Sequence, residues 1–259
     1  METSLRPRLQ KFKGILLGNR LHPTWLHPSN YVLTRIRVVL TQLIETGLSH
    51  LASGEKDLVA VDLACGDMPY RSLFEPIVKT YLGIDLPSNP LADFHFPAEV
   101  KRFPLKSESA DLVICTQALE HIACPAWFLS EARRICKQTG LLFLSTHGLW
   151  VYHPCPGDYW RWTGEGLRKL LNEQGWEVID IKGIMGLAAV ALQFIQDAIK
   201  LPPLLRESFG AVMQRAVAVA DFLHDEESRM RNAAVYVVLA RPREAPQAHL
   251  DKDRKEDLD

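Results

Sequence analysis

What this chain has little of narrows the field first. Its five cysteines, Cys65, Cys115, Cys124, Cys136 and Cys155, form no C-x-x-C pair and fall in different expected elements. Neither a disulfide framework nor a thiolate metal site follows, and reduced thiols are expected. Neither sign of charge prevails: 30 Lys and Arg against 31 Asp and Glu give a formal net charge of −1. Tight, sequence-independent nucleic-acid binding needs a basic excess, so a nucleic-acid partner is disfavoured. The run Gly183 to Gln196 is too short to cross a bilayer, and Arg6, Arg8, Lys11 and Lys13 precede no apolar core of signal-peptide length. A cytoplasmic protein without a metal site is expected.

What is present is an alternation of strands and helices. Strands are expected at Val59-Val61, Tyr81-Ile84, Asp93-Phe96, Leu112-Cys115, Leu141-Ser145, Trp176-Ile181 and Val235-Ala240, separated by helical patterns. That alternation predicts an α/β fold with a doubly wound, mostly parallel sheet spanning residues 58–242. Residues 1–57 form a leader whose first forty residues hold seven Lys and Arg against Glu2 alone. Within it Ser29 is placed to cap an amphipathic helix through Val32, Ile36, Val39, Leu40, Leu43 and Ile44, either lidding a pocket or packing on the sheet. A long insert, 183–232, carries two apolar helical patterns, Leu187-Ile199 and Phe209-Leu223, separated by Leu201-Pro202-Pro203-Leu204-Leu205. It reads as a helical hairpin capping the active-site mouth, or as a dimer or peripheral membrane contact. The tail 243–259 is nearly all charged toward its end and is expected to be disordered.

The chemistry is written first in Leu58 to Tyr70. The run Leu58-Val59-Ala60-Val61 suits a strand buried on both faces and ends at Asp62. In Ala64-Cys65-Gly66-Asp67-Met68 small residues let backbone approach a ligand, Asp67 is placed to cap a helix with Pro69 in its first turn, and Met68 suggests an early turn into that helix. The second strand closes at Asp85. A carboxylate there, about twenty residues past a glycine turn, lies where a parallel sheet meets the hydroxyls of an adenosine ribose. An adenosine-containing cofactor is therefore expected. A dinucleotide would need G-x-G-x-x-G, and only Gly66 holds such a place.

The segment Asp62 to Tyr70 resembles motif I of the class I S-adenosylmethionine-dependent methyltransferases, with Ala64 and Met68 in place of glycines. The run Asp111-Leu112-Val113-Ile114-Cys115-Thr116-Gln117-Ala118-Leu119-Glu120-His121-Ile122 is similar to the fourth strand and following loop of the type-11 subgroup. The run His153-Pro154-Cys155-Pro156-Gly157-Asp158-Tyr159-Trp160-Arg161-Trp162-Thr163 resembles a segment of small-molecule and glycan-pathway methyltransferases. The resemblance implies seven strands in the order 3-2-1-4-5-7-6 with the seventh antiparallel, and S-adenosyl-L-methionine as cofactor. It puts Asp62 and the backbone of Ala64 and Gly66 near the methionine moiety, Asp85 on the ribose and Leu86 against adenine. The backbone of Ala98 remains for the adenine edge, because Pro97 replaces the usual aspartate, and Thr116 and Gln117 border the methionine end.

Methyl transfer needs a nucleophile held in line at about 3–3.5 Å with water excluded. An alcohol acceptor also benefits from a base, for which His121, His147, His153 and Asp158 are candidates. His121 reads better as a residue tying loops together, whereas His147 stands just past the fifth strand, where the family pattern more often shows proline. His153, Asp158, Tyr159 and Arg161 share one loop that should overhang the acceptor pocket. The same loop also reads as a brace, with Asp158 and Arg161 paired, Trp160 and Trp162 packed, and Thr163 capping the helix Gly164 to Asn172. The leading expectation is methyl transfer to a small polar acceptor, a metabolite, glycan precursor or lipid-linked intermediate, preferably at oxygen. A catalytically silent cofactor-binding scaffold is the alternative, kept open by the departures at Ala64, Met68, Pro97 and His147, and a nicotinamide-dependent dehydrogenase stands third.

Overall fold

A computed structural model describes residues 17–51, 57–97 and 102–244. The expectations for the first sixteen residues, for Ala98 and for the tail beyond Glu244 lie outside the described residues. Among the described residues seven strands form one sheet: β1 (Val59–Leu63), β2 (Thr80–Asp85), β3 (Phe94–His95), β4 (Ala110–Thr116), β5 (Cys136–His147), β6 (Trp176–Ile184) and β7 (Val235–Pro242). Their order is β3-β2-β1-β4-β5-β7-β6, with β7 antiparallel to both neighbours, as the family resemblance implied.

Strict alternation in the central strands separates two cores. Val113, Cys115, Leu142, Leu144, Val238 and Ala240 face helices α3 (Pro125–Ile135) and α4 (Gly164–Glu173), while Leu112, Ile114, Leu141, Phe143, Val237 and Leu239 face the other side. That other side is covered by α1 (Asn30–Leu48), whose Val32, Ile36, Val39, Leu40, Leu43 and Ile44 make one buried stripe. Each such side chain contributes about 1.5–3 kcal/mol on burial, so α1 is part of the core. Of its two expected roles, α1 takes packing on the sheet. Ser29 stands at its N-cap position without a side-chain bond, a departure from the expected cap. Asp111, buried at the start of β4, accepts from the Val59 amide at 2.9 Å and from Lys137 at 2.6 Å, which ties the first strand to the fourth and fifth.

The insert emerges from β6 as α5 (Leu187–Ala198), α6 (Pro203–Phe222) and α7 (Glu226–Arg231). The second apolar helix starts at Pro203, six residues ahead of Phe209, because a proline at the first helical position lacks only an amide that the helix does not need. A buried amide network joins insert to leader: Gln214 donates to Gln193 and Gln196, Gln196 donates to the Pro28 carbonyl, and the Tyr31 hydroxyl donates to Asp221 at 2.7 Å. The insert therefore docks on α1. No helix among the described residues is long and apolar enough to cross a membrane.

The turn after β1 departs from expectation. Helix α2 (Arg71–Phe74) begins after Tyr70, so Asp67 does not cap it, Pro69 precedes it, and the loop enters its helix late. Met68 has φ +49°, and this left-handed step carries the chain off a helical path before Arg71.

Candidate active site

All five parallel neighbours present their C-terminal ends on one edge, and the chain order reverses direction between β1 and β4, which is where open α/β sheets bind ligands. Ala64, Gly66 and Met68, three alternate residues of the loop after β1, have φ of +53°, +54° and +49°. These are the conformations glycine adopts freely and an L side chain at a cost of about 1–2 kcal/mol. Alanine and methionine thus keep the backbone path that glycines would give. The Met68 side chain packs against Gly83 of β2, where a Cβ would lie 3.1 Å from its sulfur. A Cβ built on Gly66 meets nothing within 4 Å, so its open side faces free space at the strand edge.

Asp85 closes β2 and organises this loop. Its Oδ2 accepts from the Gly66 amide at 2.8 Å and from Asn89 Nδ2 at 2.7 Å, and its Oδ1 accepts from the Leu86 amide at 2.7 Å. Asn89 also donates to the Gly66 carbonyl at 2.7 Å. A carboxylate offers about four lone-pair positions, so Oδ1 keeps one for a ribose hydroxyl. Asn89 was not anticipated; its polar type four residues past Asp85, in a Ser-Asn-Pro turn, was the available signal. Asp62 lies deeper, 2 % exposed, accepting from the Tyr81 hydroxyl at 2.7 Å. Burial, reinforced by Asp85 and Asp67, pushes its carboxyl up to about 8 against the lowering effect of Tyr81. Thr116 ends β4, and Gln117, at φ +52°, turns its amide and side chain onto Ser145 of β5. Asp62, Ala64, Gly66, Asp85, Leu86, Thr116 and Gln117 thus converge on one edge. An open glycine, a left-handed loop and a carboxylate with a free lone pair fit an adenosyl sulfonium cofactor.

Beside them, past β4 and β5, lies a second constellation. The carboxylate of Glu120 is fully buried, accepting the Thr146 hydroxyl at 2.8 Å on Oε2. Its Oε1 lies 2.8 Å from Nδ1 of His147 and 3.9 Å from Nε2 of His121. The His147 contact is bent away from hydrogen-bond geometry, leaving both atoms buried without a well-directed partner. Desolvation would raise the Glu120 carboxyl, but His147 and Thr146 outweigh it and hold the group below its ordinary value. The His147 ring stacks on Trp150, centroids 5.2 Å apart, and meets His153 edge-on at 4.7 Å; His153 in turn meets His121 at 4.9 Å. Burial and the neighbouring His147 hold His153 below its usual pKa, so its ring is neutral near neutral pH.

The loop 153–163 is built as a brace around this group. Arg161 grips Asp158 with two nitrogens at 2.5 and 2.6 Å, and Asp158 accepts the His153 amide at 2.8 Å. The guanidinium holds Asp158 far below the carboxylate range, which removes it as a base. Trp160 and Trp162 stack at 5.7 Å, and Thr163 caps α4 by accepting from the Gly166 amide. Amides of Tyr159 and Trp160 bond the Glu120 carbonyl, and Nδ1 of His121 lies 2.5 Å from the Gly157 carbonyl. Of the four acceptor-side candidates, His147 and His153 meet, Asp158 is consumed by Arg161, and Tyr159 turns outward, 59 % exposed, over Gly157. Glu120, the centre of the group, was noticed only as part of the Leu-Glu-His run.

Comparison with known proteins agrees with this geometry. Residues 61–144 match the Methyltransferase domain family of type 11. A Mycolicibacterium smegmatis protein named "Probable S-adenosylmethionine-dependent methyltransferase" is 27 % identical over 192 residues, covering 68 % of this chain and 70 % of its own. Among solved structures, the Haloferax volcanii methyltransferase in complex with the Trm112 methyltransferase activator shares the fold at TM-score 0.51 and 18 % identity, covering 84 % of this chain and 95 % of that one. A Galdieria sulphuraria structure described as a sarcosine dimethylglycine methyltransferase shares it at TM-score 0.51 and 14 % identity, over 82 % and 86 %. The cofactor is S-adenosylmethionine, which displaces the dehydrogenase alternative. The matched domain, the relative and the shared fold together support a class I S-adenosylmethionine-dependent methyltransferase.

Proposed function

We propose that this enzyme moves the methyl group to a small polar acceptor, preferably at an oxygen, that enters over the loop 148–163. The observation carrying this reading is the gathering of His121, His147 and His153 around buried Glu120 on the strand edge shared with the cofactor loop. S-adenosylmethionine supplies an electrophilic methyl on a sulfonium; the chain's part is to aim the acceptor atom and take up its proton. A neutral His153 ring, edge-on to His147 and His121, suits that part, because an imidazole with a lowered pKa offers a lone pair at neutral pH. Asp62, Gly66 and Asp85 orient the cofactor, and Thr116 and Gln117 border its methionine end. His147 and Asp158 act as positioning residues, and Tyr159 contacts the acceptor from the loop tip.

The silent-scaffold alternative rests on Ala64, Met68, Pro97 and His147, and of these Ala64 and Met68 hold the glycine-like conformations that keep the loop's path. A second contact surface, for a second copy of the chain or a membrane surface, is favoured on the insert, where Val212, Val219, Phe222 and Leu223 are all exposed. The test of the acceptor reading is transfer of a labelled methyl group to extracted metabolites, followed by the same assay on His153→Ala and Tyr159→Phe. Both variants should lose turnover and keep cofactor affinity. Full turnover in both would overturn it.

A further inference from the structure

The histidine group beside the cofactor edge has features that acceptor binding does not require. Ligand atoms of Glu120, His121 and His153 all lie within 4.8 Å of one another. Oε1 of Glu120 faces Nε2 of His121 at 3.9 Å, and it is a fully buried anionic oxygen without a well-directed hydrogen bond. An ionised carboxylate in that condition is costly unless a cation meets it. Both outer imidazoles are fixed in the same sense. Nδ1 of His121 lies 2.5 Å from the Gly157 carbonyl, and Nδ1 of His153 lies 3.2 Å from the Val151 carbonyl. A carbonyl can only accept, so each Nδ1 carries the proton and each Nε2 presents a lone pair. Histidines that bind metals are oriented this way, and their carboxylate partners are held as Thr146 holds Glu120.

We propose that Glu120, His121 and His153 bind one divalent first-row transition-metal ion through Oε1 and the two Nε2 atoms. One carboxylate and two neutral imidazoles form a donor set for zinc, iron, cobalt or nickel rather than for magnesium or calcium. Bond lengths of about 2.1 Å with tetrahedral angles put ligand atoms about 3.4 Å apart, so the group must close by about 1 Å. The His153 side chain, 37 % exposed, has the freedom to do so and leaves a solvent path for the ion. His147, beneath Trp150, stays outside the ligand set and steadies Oε1 from behind. The ion's place beside the acceptor rests on the proposed function, whereas its ligands do not. There, with the His153 lone pair taken up by the ion, a coordinated acceptor hydroxyl would release its proton to water instead of to His153, at lower pH than the free alcohol.

The full chain, stripped with a chelator and free of cofactor and acceptor, is titrated with cobalt(II) and then with zinc. One cobalt per chain with visible d–d absorption, displaced by one zinc, is expected. His121→Ala, His153→Ala and Glu120→Gln should each weaken binding by about a hundredfold. Absence of saturable binding by the wild type, or wild-type affinity in a folded His153→Ala variant, overturns the site. Because His153 is partly exposed, that variant tests the site even if the Glu120 substitution prevents folding. Stoichiometric binding in a protein that methylates no tested acceptor supports the metal site and counts against the acceptor reading alone. Undiminished turnover of an acceptor after complete stripping leaves that reading standing and overturns the ion's part in it.

Discussion

Glu120 keeps one carboxylate oxygen 2.8 Å from Nδ1 of His147 and the other 2.8 Å from the hydroxyl of Thr146, so β4's loop and the end of β5 share one buried acid. Removing it leaves the buried Thr146 hydroxyl with nothing to accept from it and the buried His147 ring without the charge beside it. Glu120→Ala should therefore cost about 2–5 kcal/mol, read as a lower urea midpoint at unchanged slope. An unaltered midpoint would mean that the acid does not hold these strands together.

The Asp85 carboxylate accepts both the Gly66 amide and, in the proposed complex, a ribose hydroxyl. Asp85→Ala should weaken S-adenosylmethionine binding at least about tenfold, since hydrogen bonds to a charged acceptor are worth about 1.5–3 kcal/mol. Calorimetry measures this directly. Affinity equal to wild type would remove the ribose assignment.

Gly66 has φ +54° and free space beyond its Cβ position. Gly66→Val should leave a folded protein, less stable by about 1–2 kcal/mol from the left-handed backbone, with cofactor binding abolished. Circular dichroism and calorimetry together report on both. Retained binding would show that the cofactor does not use that space.

Asp62 titrates near 8 in the folded protein and near 4 when unfolded. Between those values the native state holds the extra proton, so stability is greatest at the acid end and falls as pH rises, by about 1.4 kcal/mol per pH unit for this one group. Asp62→Asn, which keeps an acceptor for Tyr81, should flatten that part of the profile. Urea midpoints measured across the window compare the two proteins. Identical slopes would show that Asp62 is ionised when folded.

The two readings of the 153–163 loop predict different losses. Asp158→Ala or Arg161→Ala removes a bidentate pair whose acid is fully buried and should lower the melting temperature by several degrees. His153→Ala and Tyr159→Phe should barely move it. A uniform drop in all four would make the loop a brace and nothing else.

The sheet was legible because its signal is local: apolar runs of four to six residues, each ended by a polar or small residue, mark strands whatever surrounds them. The loop conformation was less so. Met68 looks like a helix starter in sequence, and only packing against Gly83 explains why the chain holds it left-handed for one more turn. Ser29 has the right side chain for a cap, yet its amide bonds the His27 ring and its hydroxyl caps nothing. Glu120 escaped for a different reason. Its environment is made by Thr146, His147 and His153, about thirty residues away in sequence, and no spacing rule brings such partners together before the strands are paired.

Strand order carries a consequence for synthesis. The last strand among the described residues, β7, is an interior strand, hydrogen-bonded to β5 on one side and β6 on the other. On the ribosome, β6 has no sheet to join until β7 has emerged, and the exposed edge of β5 must wait unpaired for the same strand. The first five strands are able to assemble during translation, whereas the sixth, with α5 and α6 already synthesised, is held back until the end. The nascent enzyme is thus most open to aggregation, and most in need of a chaperone, in the interval during which the helical insert is outside the ribosome and β7 is still within it.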